Sequence, residues 1–201
     1  MPEGRQHFAV DRPGFGQSGE EAVPDLRMQA KGIAPLLSPP DGARVVIAGY
    51  SYGGPLALQV AVDFPDRVEG LVLVASAADP ELEDTHPIQE LAASEFFENL
   101  LPRELANANV ELMALRSDLE ALAPNLARIN VPVVIIHGLS DSLVPPENAF
   151  YLRDTLEAAH PVRLILIEEA DHFLPWSHVD LLKSALDCVL EDAARQSAPE
   201  R

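Results

Sequence analysis

Apolar residues fall into short runs separated by longer stretches of mixed character. Arg44–Gly49 (RVVIAG), Gly70–Ala75 (GLVLVA), Val131–His137 (VPVVIIH) and Val162–Ile167 (VRLILI) are rich in β-branched residues, and His7–Val10 is a shorter strand candidate. The runs are apolar at consecutive rather than alternate positions. Strands of a parallel sheet covered by helices on both faces have that pattern. The stretches between them read as helices. Ala22–Leu37 has apolar residues at roughly helical spacing, and Gly53–Phe64 sets Leu56, Val60 and Phe64 on one stripe. Pro145 and Pro146 suit the first turn of a helix running to about Ala159, and Val179–Ala194 forms the last helix. Strand and helix in alternation predict an α/β fold with right-handed crossovers and a mostly parallel sheet.

Asp79–Ile129 breaks this rhythm. It holds no strand-like run and is rich in Glu, Leu and Ala, so it predicts two or three short helices. An insertion at the carboxyl end of a strand lies over the ligand crevice of an open α/β fold. The expected organisation is therefore a core of residues 1–78 and 130–201 with a helical cap at 79–129; ordinary crossover helices are the alternative. Within the cap, Phe96, Phe97 and Leu100, together with Tyr50 of the core, are candidates for the wall of a substrate pocket.

Composition narrows the setting. The chain has 201 residues, which suits one domain. It has a single cysteine, Cys188, in an apolar-patterned run, which excludes an internal disulfide and reads as a buried thiol. Its net charge of −18 makes nucleic acid and anionic membrane poor partners and favours neutral small-molecule substrates over bulky anionic ones. The first residues are polar and lack the apolar core of a signal peptide, and no apolar run is long enough to span a membrane, so a cytoplasmic location is expected. With no His-Glu-x-x-His pattern and one cysteine, neither a metal nor an organic cofactor is expected.

The chemistry is concentrated at the ends of the predicted strands. Gly49-Tyr50-Ser51-Tyr52-Gly53 joins a strand to a helix. So sharp a turn holds its apex serine exposed and strained, and crowds the positions two before and two after it, where Gly49 and Gly53 stand. The Tyr52 N–H, at the start of the helix, is then placed to bind an oxyanion. A serine needs a base. Of six histidines, His172 follows the last strand by a short loop at the same sheet edge, whereas His137 ends a strand and reads as structural. An acid must hold the base in the right tautomer. Asp141, after the VPVVIIH strand, is the first candidate and Asp79 the competitor; Asp171 reads as a loop cap.

Asp11–Ser18 (DRPGFGQS), Gly49–Gly54 (GYSYGG), His137–Pro145 (HGLSDSLVP) and Ala170–Ser177 (ADHFLPWS) resemble, in order, the conserved loops of α/β-hydrolases of the esterase, haloperoxidase and C–C hydrolase group. The resemblance implies the α/β-hydrolase fold, N-terminally shortened, with Ser51, Asp141 and His172 as its catalytic residues. Family members usually carry about three further strands and a His-Gly loop upstream of the DRPGFG segment, and that loop supplies a second oxyanion N–H. Only six residues precede His7. On that expectation the sheet has an open edge near His7–Val10, favouring a homodimer, and turnover is reduced by about 100- to 1000-fold for want of one donor. The expected activity is hydrolysis of small, largely neutral carboxylic esters through an acyl-enzyme. C–C hydrolysis or perhydrolysis at the same site, and a catalytically weak ligand-binding protein, are the alternatives. Dehalogenase and epoxide hydrolase chemistry is disfavoured, because those relatives carry aspartate where Ser51 stands.

Overall fold

The computed structural model describes residues 6–39, 42–83 and 102–197. Its centre is a four-stranded sheet in the order β1 (Val45–Tyr50), β2 (Val68–Val74), β3 (Val133–Gly138) and β4 (Val162–Ile167). Every pairing is parallel, so each strand presents its carboxyl end at the same edge. The helices are α1 (Leu26–Ile33), α2 (Gly53–Asp63), α3 (Arg103–Leu122), α4 (Glu147–Thr155), the single turn α5 (Leu174–Ser177) and α6 (Val179–Ser197).

Alternate residues of the central strands enter opposite layers, which is why these runs are apolar throughout. Leu71, Leu73, Val133 and Ile135 pack with Leu26, Leu58, Leu115, Leu119 and Leu152 of α1 to α4. Val72, Val74, Val134 and Ile136 pack with Ala185 and Val189 of α6. Burial of side chains of this size stabilises by roughly 1.5–3 kcal/mol each before conformational entropy is subtracted.

Several expectations need correction. His7–Val10 is not a strand, and Phe8 and Val10 are exposed. A four-residue run forms a strand only where another strand satisfies its backbone, and among the described residues β1 pairs with β2 alone. The sheet edge is therefore β1, not His7–Val10. The described residues of the segment 79–129 include the 20-residue helix α3, longer than the short helices expected, with 3-10 turns at Pro80–Leu82 and Ala123–Arg128; residues 84–101 of that segment lie outside the described residues. The C-terminal part of α3 is core, with Leu115, Leu119 and Leu122 almost fully buried. Cys188 is half-buried rather than core, its thiol 3.9 Å from the Asp192 carboxylate.

Candidate functional site

Ser51 follows β1 directly and lies two residues before α2. Its φ is 52°, the left-handed region that a residue with a Cβ occupies at a cost of roughly 1–2 kcal/mol. Backbone bonds hold the turn: Ser51 N–H donates to Val74 C=O at 3.0 Å, and Gly54 N–H donates to Ser51 C=O at 3.0 Å. A Cβ on Gly49 would lie 2.3 Å from the Gly53 carbonyl oxygen, so only glycine fits there. Gly53 behaves differently from the sequence expectation, since a Cβ there would meet open space. The crowded second position is Gly54, where a Cβ would fall 1.8 Å from Ser76 Oγ. The pinch is set by the loop after β2, which the local motif does not reveal.

Asp141 and His172 come from the loops after β3 and β4. The two loops touch where Gly138 ends β3, as a Cβ there would lie 2.3 Å from the Ala170 carbonyl oxygen. Ser140 N–H donates to that same oxygen at 2.9 Å. Asp141 is buried, and its Oδ1 accepts from the Leu143 and Val144 N–H groups, each at 2.9 Å. Its Oδ2 accepts from His172 Nδ1 at 2.7 Å. With the proton on Nδ1, His172 Nε2 is a bare acceptor, and the Ser51 hydroxyl donates to it at 3.0 Å. Ser51, His172 and Asp141 thus form a continuous hydrogen-bonded chain. Asp79 is not part of it; it caps the 3-10 turn that follows β2, accepting from Glu81 N–H at 2.9 Å. Asp171 caps its own loop through Phe173 N–H.

His137 stands behind this chain. It is fully buried and donates from Nε2 to Val144 C=O at 3.0 Å, with Asp141 Oδ2 at 3.5 Å. Burial lowers its pKa, only partly opposed by Val144 and Asp141, so it stays neutral and helps fix the loop that carries Asp141.

Tyr52 precedes α2, so its N–H lies where helical amides lack intrahelical acceptors and can receive an anion. Its side chain is buried away from the serine. The Gln29 amide donates to the phenol oxygen at 3.2 Å, and the Arg12 guanidinium lies 4.7 Å from the ring centroid. Arg12 in turn forms a two-pronged ion pair with Glu111 of α3, at 2.7 and 3.2 Å. Burial raises the Tyr52 pKa, and nearby Glu111 adds to the rise. The sequence reading did not find this network, because a glutamate in a helix ordinarily faces water.

Tyr50 lies against His172, ring centroids 5.0 Å apart, and meets Trp176 edge-on at 5.7 Å. Phe173 and Trp176, both exposed, complete an aromatic group beside the histidine; neither was singled out from the sequence. Phe96, Phe97 and Leu100 lie outside the described residues. A cavity lined by Asp25, Arg27, Gln59, Asp118 and Ala121 includes none of Ser51, His172 and Asp141. Among the described residues there is no cluster of His, Cys, Asp and Glu fit to hold a metal ion, and no helix is long and apolar enough to cross a membrane.

Comparison with known proteins agrees with this architecture. Residues 16–187 match the model of the prolyl oligopeptidase family. A pimeloyl-acyl-carrier-protein methyl ester esterase of Neisseria meningitidis serogroup B is 29% identical over 209 aligned residues, spanning 86% of this chain and 77% of the relative. The enzyme of the same name from Citrobacter koseri is 31% identical over 193 residues, spanning 89% and 72%. Among solved structures, an α/β-hydrolase enzyme from a Medee basin deep-sea metagenome library superposes with a TM-score of 0.64 at 20% identity, over 95% of this chain and 80% of that one. At that identity the likeness speaks to the fold alone.

Proposed function

Since the chain belongs to the prolyl oligopeptidase family of α/β-fold hydrolases, we propose that it hydrolyses small, largely neutral carboxylic esters with Ser51 as nucleophile, His172 as general base and Asp141 as the acid that orients it. The observation that carries this reading is the unbroken run of hydrogen bonds from Ser51 Oγ through His172 to Asp141. His172 takes the serine proton as Oγ attacks the ester carbon. The Tyr52 N–H stabilises the oxyanion of the tetrahedral intermediate. The C–O bond to the alcohol then breaks, the proton passes from His172 to the departing oxygen, and water attacks the acyl-Ser51 by the same base. Each step uses side chains, the Tyr52 backbone N–H and water, and no metal or cofactor is assigned.

The ester is preferred because the methyl ester esterases align over most of this chain. The family's description names an oligopeptidase, which makes amide cleavage the second reading. C–C hydrolysis and perhydrolysis use the same groups and have no feature of the described residues in their favour. The reading also assigns residues 79–129 to a cap that limits the acyl pocket. It is supported by the N-terminal half of α3, whose Asn107 and Glu111 bind the Gly14 carbonyl and Arg12 of the loop before α1, while the C-terminal part of that helix belongs to the core. Self-association through the β1 edge belongs to the same reading.

The test is turnover of short nitrophenyl esters beside matched peptide nitroanilides. Ester turnover abolished in Ser51→Ala is the expected result. Faster release from the anilides would favour the peptidase, and ester turnover retained in Ser51→Ala would remove Ser51 from the chemistry.

A further inference from the structure

An ester held by Ser51 has its groups aimed by fixed partners. The carbonyl oxygen turns to the Tyr52 N–H at the start of α2. The alcohol oxygen must reach His172 Nε2, which carries the proton it will receive. The alcohol's substituent therefore emerges beside the His172 ring, while the acyl substituent takes a different direction.

The surroundings of that ring are aromatic. Tyr50 lies 5.0 Å from His172 at an interplanar angle of 38°. Phe173 meets His172 edge-on at 5.9 Å, and Trp176 meets Tyr50 at 5.7 Å and Phe173 at 6.0 Å. Phe173 is 52% exposed and Trp176 is 69% exposed. They come from the start of the α5 turn and Tyr50 from the end of β1, so separate elements build one surface. Burial raises the Tyr50 pKa, with Asp141 and Asp171 adding to it, so the phenol is neutral at working pH.

We propose that Tyr50, Phe173 and Trp176 form a leaving-group subsite that selects esters of neutral aromatic alcohols, such as benzyl esters. The proposal rests on the ester-hydrolase reading above. The alcohol departs uncharged, because the proton of Ser51 reaches its oxygen through His172 as the acyl C–O bond breaks and the acyl–Oγ bond forms. A neutral planar product suits an apolar aromatic shelf. Ring contacts of this kind are worth about a tenfold preference.

Trp176 is the sole tryptophan of the chain, so intrinsic fluorescence reports the shelf directly. In Ser51→Ala, benzyl alcohol should change the Trp176 emission saturably, and neutral phenylacetamide, which mimics an acyl group, should not. In the unmodified protein, kcat/KM should rise about tenfold from ethyl to benzyl acetate. Trp176→Ala and Phe173→Ala, both at exposed positions, should remove most of that rise, keep the melting temperature and leave the preference between acetyl and phenylacetyl ethyl esters unchanged. Ester turnover without a benzyl preference, or a preference lost along the acyl series instead, overturns the subsite while the hydrolase reading stands. A saturable benzyl alcohol response without any ester turnover supports the aromatic-alcohol site and overturns the hydrolase reading. Emission that shifts with protein concentration alone would show a second copy covering the shelf, and would overturn the proposal.

Discussion

At the scale of single residues, the two candidate acids are told apart by geometry. Asp141 accepts from His172 while Asp79 caps a turn, so Asp141→Asn should lower ester turnover by about 10^4 and Asp79→Asn by far less. Comparable losses in steady-state assays of the two variants would contradict the assignment. His137 makes a second prediction. Burial holds its folded-state pKa below the ordinary value near 6.5. The unfolded chain therefore binds the extra proton first as pH falls. The contribution to stability is full above about pH 6.5 and is lost as pH drops through the folded-state value. Melting temperature should decline over that window, and less steeply in His137→Gln, which keeps a donor for Val144. Equal slopes in the two proteins would show that His137 is not the group that titrates. At the turn around Ser51, Gly53→Ala should preserve stability, whereas Gly49→Ala and Gly54→Ala should reduce it, because only the last two meet neighbouring atoms. The sequence pointed to Gly53 because motif spacing describes the chain near the serine and not the Ser76 loop that crowds Gly54.

At the scale of elements, the strands were legible where the sheet buries both faces. Val162–Ile167 is found with the expected limits. The third strand starts two residues later than expected, at Val133, since Pro132 has no N–H to give a partner. His7–Val10 failed because pairing is not written in a four-residue run. Helix α3 was hard to read as one helix because its apolar stripe is interrupted by buried Asn109 and Glu111. Glu111 is only 1% exposed, and it joins α3 to α1 and to the loop before it through Gln29 and Arg12. Glu111→Ala would leave the Arg12 guanidinium without its carboxylate. A loss of about 3 kcal/mol is expected in denaturant unfolding, the lower end of the range for a broken buried pair, because Arg12 is partly exposed. A loss under about 1 kcal/mol would show that the network is dispensable.

At the scale of the whole molecule, the parallel sheet brings the loops after β1, β3 and β4 to one edge, and that is how residues 51, 141 and 172 meet. Strand order made this much readable from the sequence: the loops that carry Ser51, Asp141 and His172 each follow a strand-like run. The exposed aromatic shelf was not readable, because nothing in ADHFLPWS tells a buried Trp from an exposed one. The β1 edge sets an expectation for the assembled state. The net charge of −18 opposes contact between copies, so light scattering should find more dimer as salt screens that charge, and a monomer at every ionic strength would contradict edge pairing. The central claim is that Ser51 is the nucleophile activated by His172. Its most direct measurement is reaction with a fluorophosphonate followed by mapping of the adduct by mass spectrometry. The account predicts one adduct on Ser51, formed far more slowly in His172→Ala and absent in Ser51→Ala; an adduct on another residue, or undiminished labelling of Ser51→Ala, would contradict it.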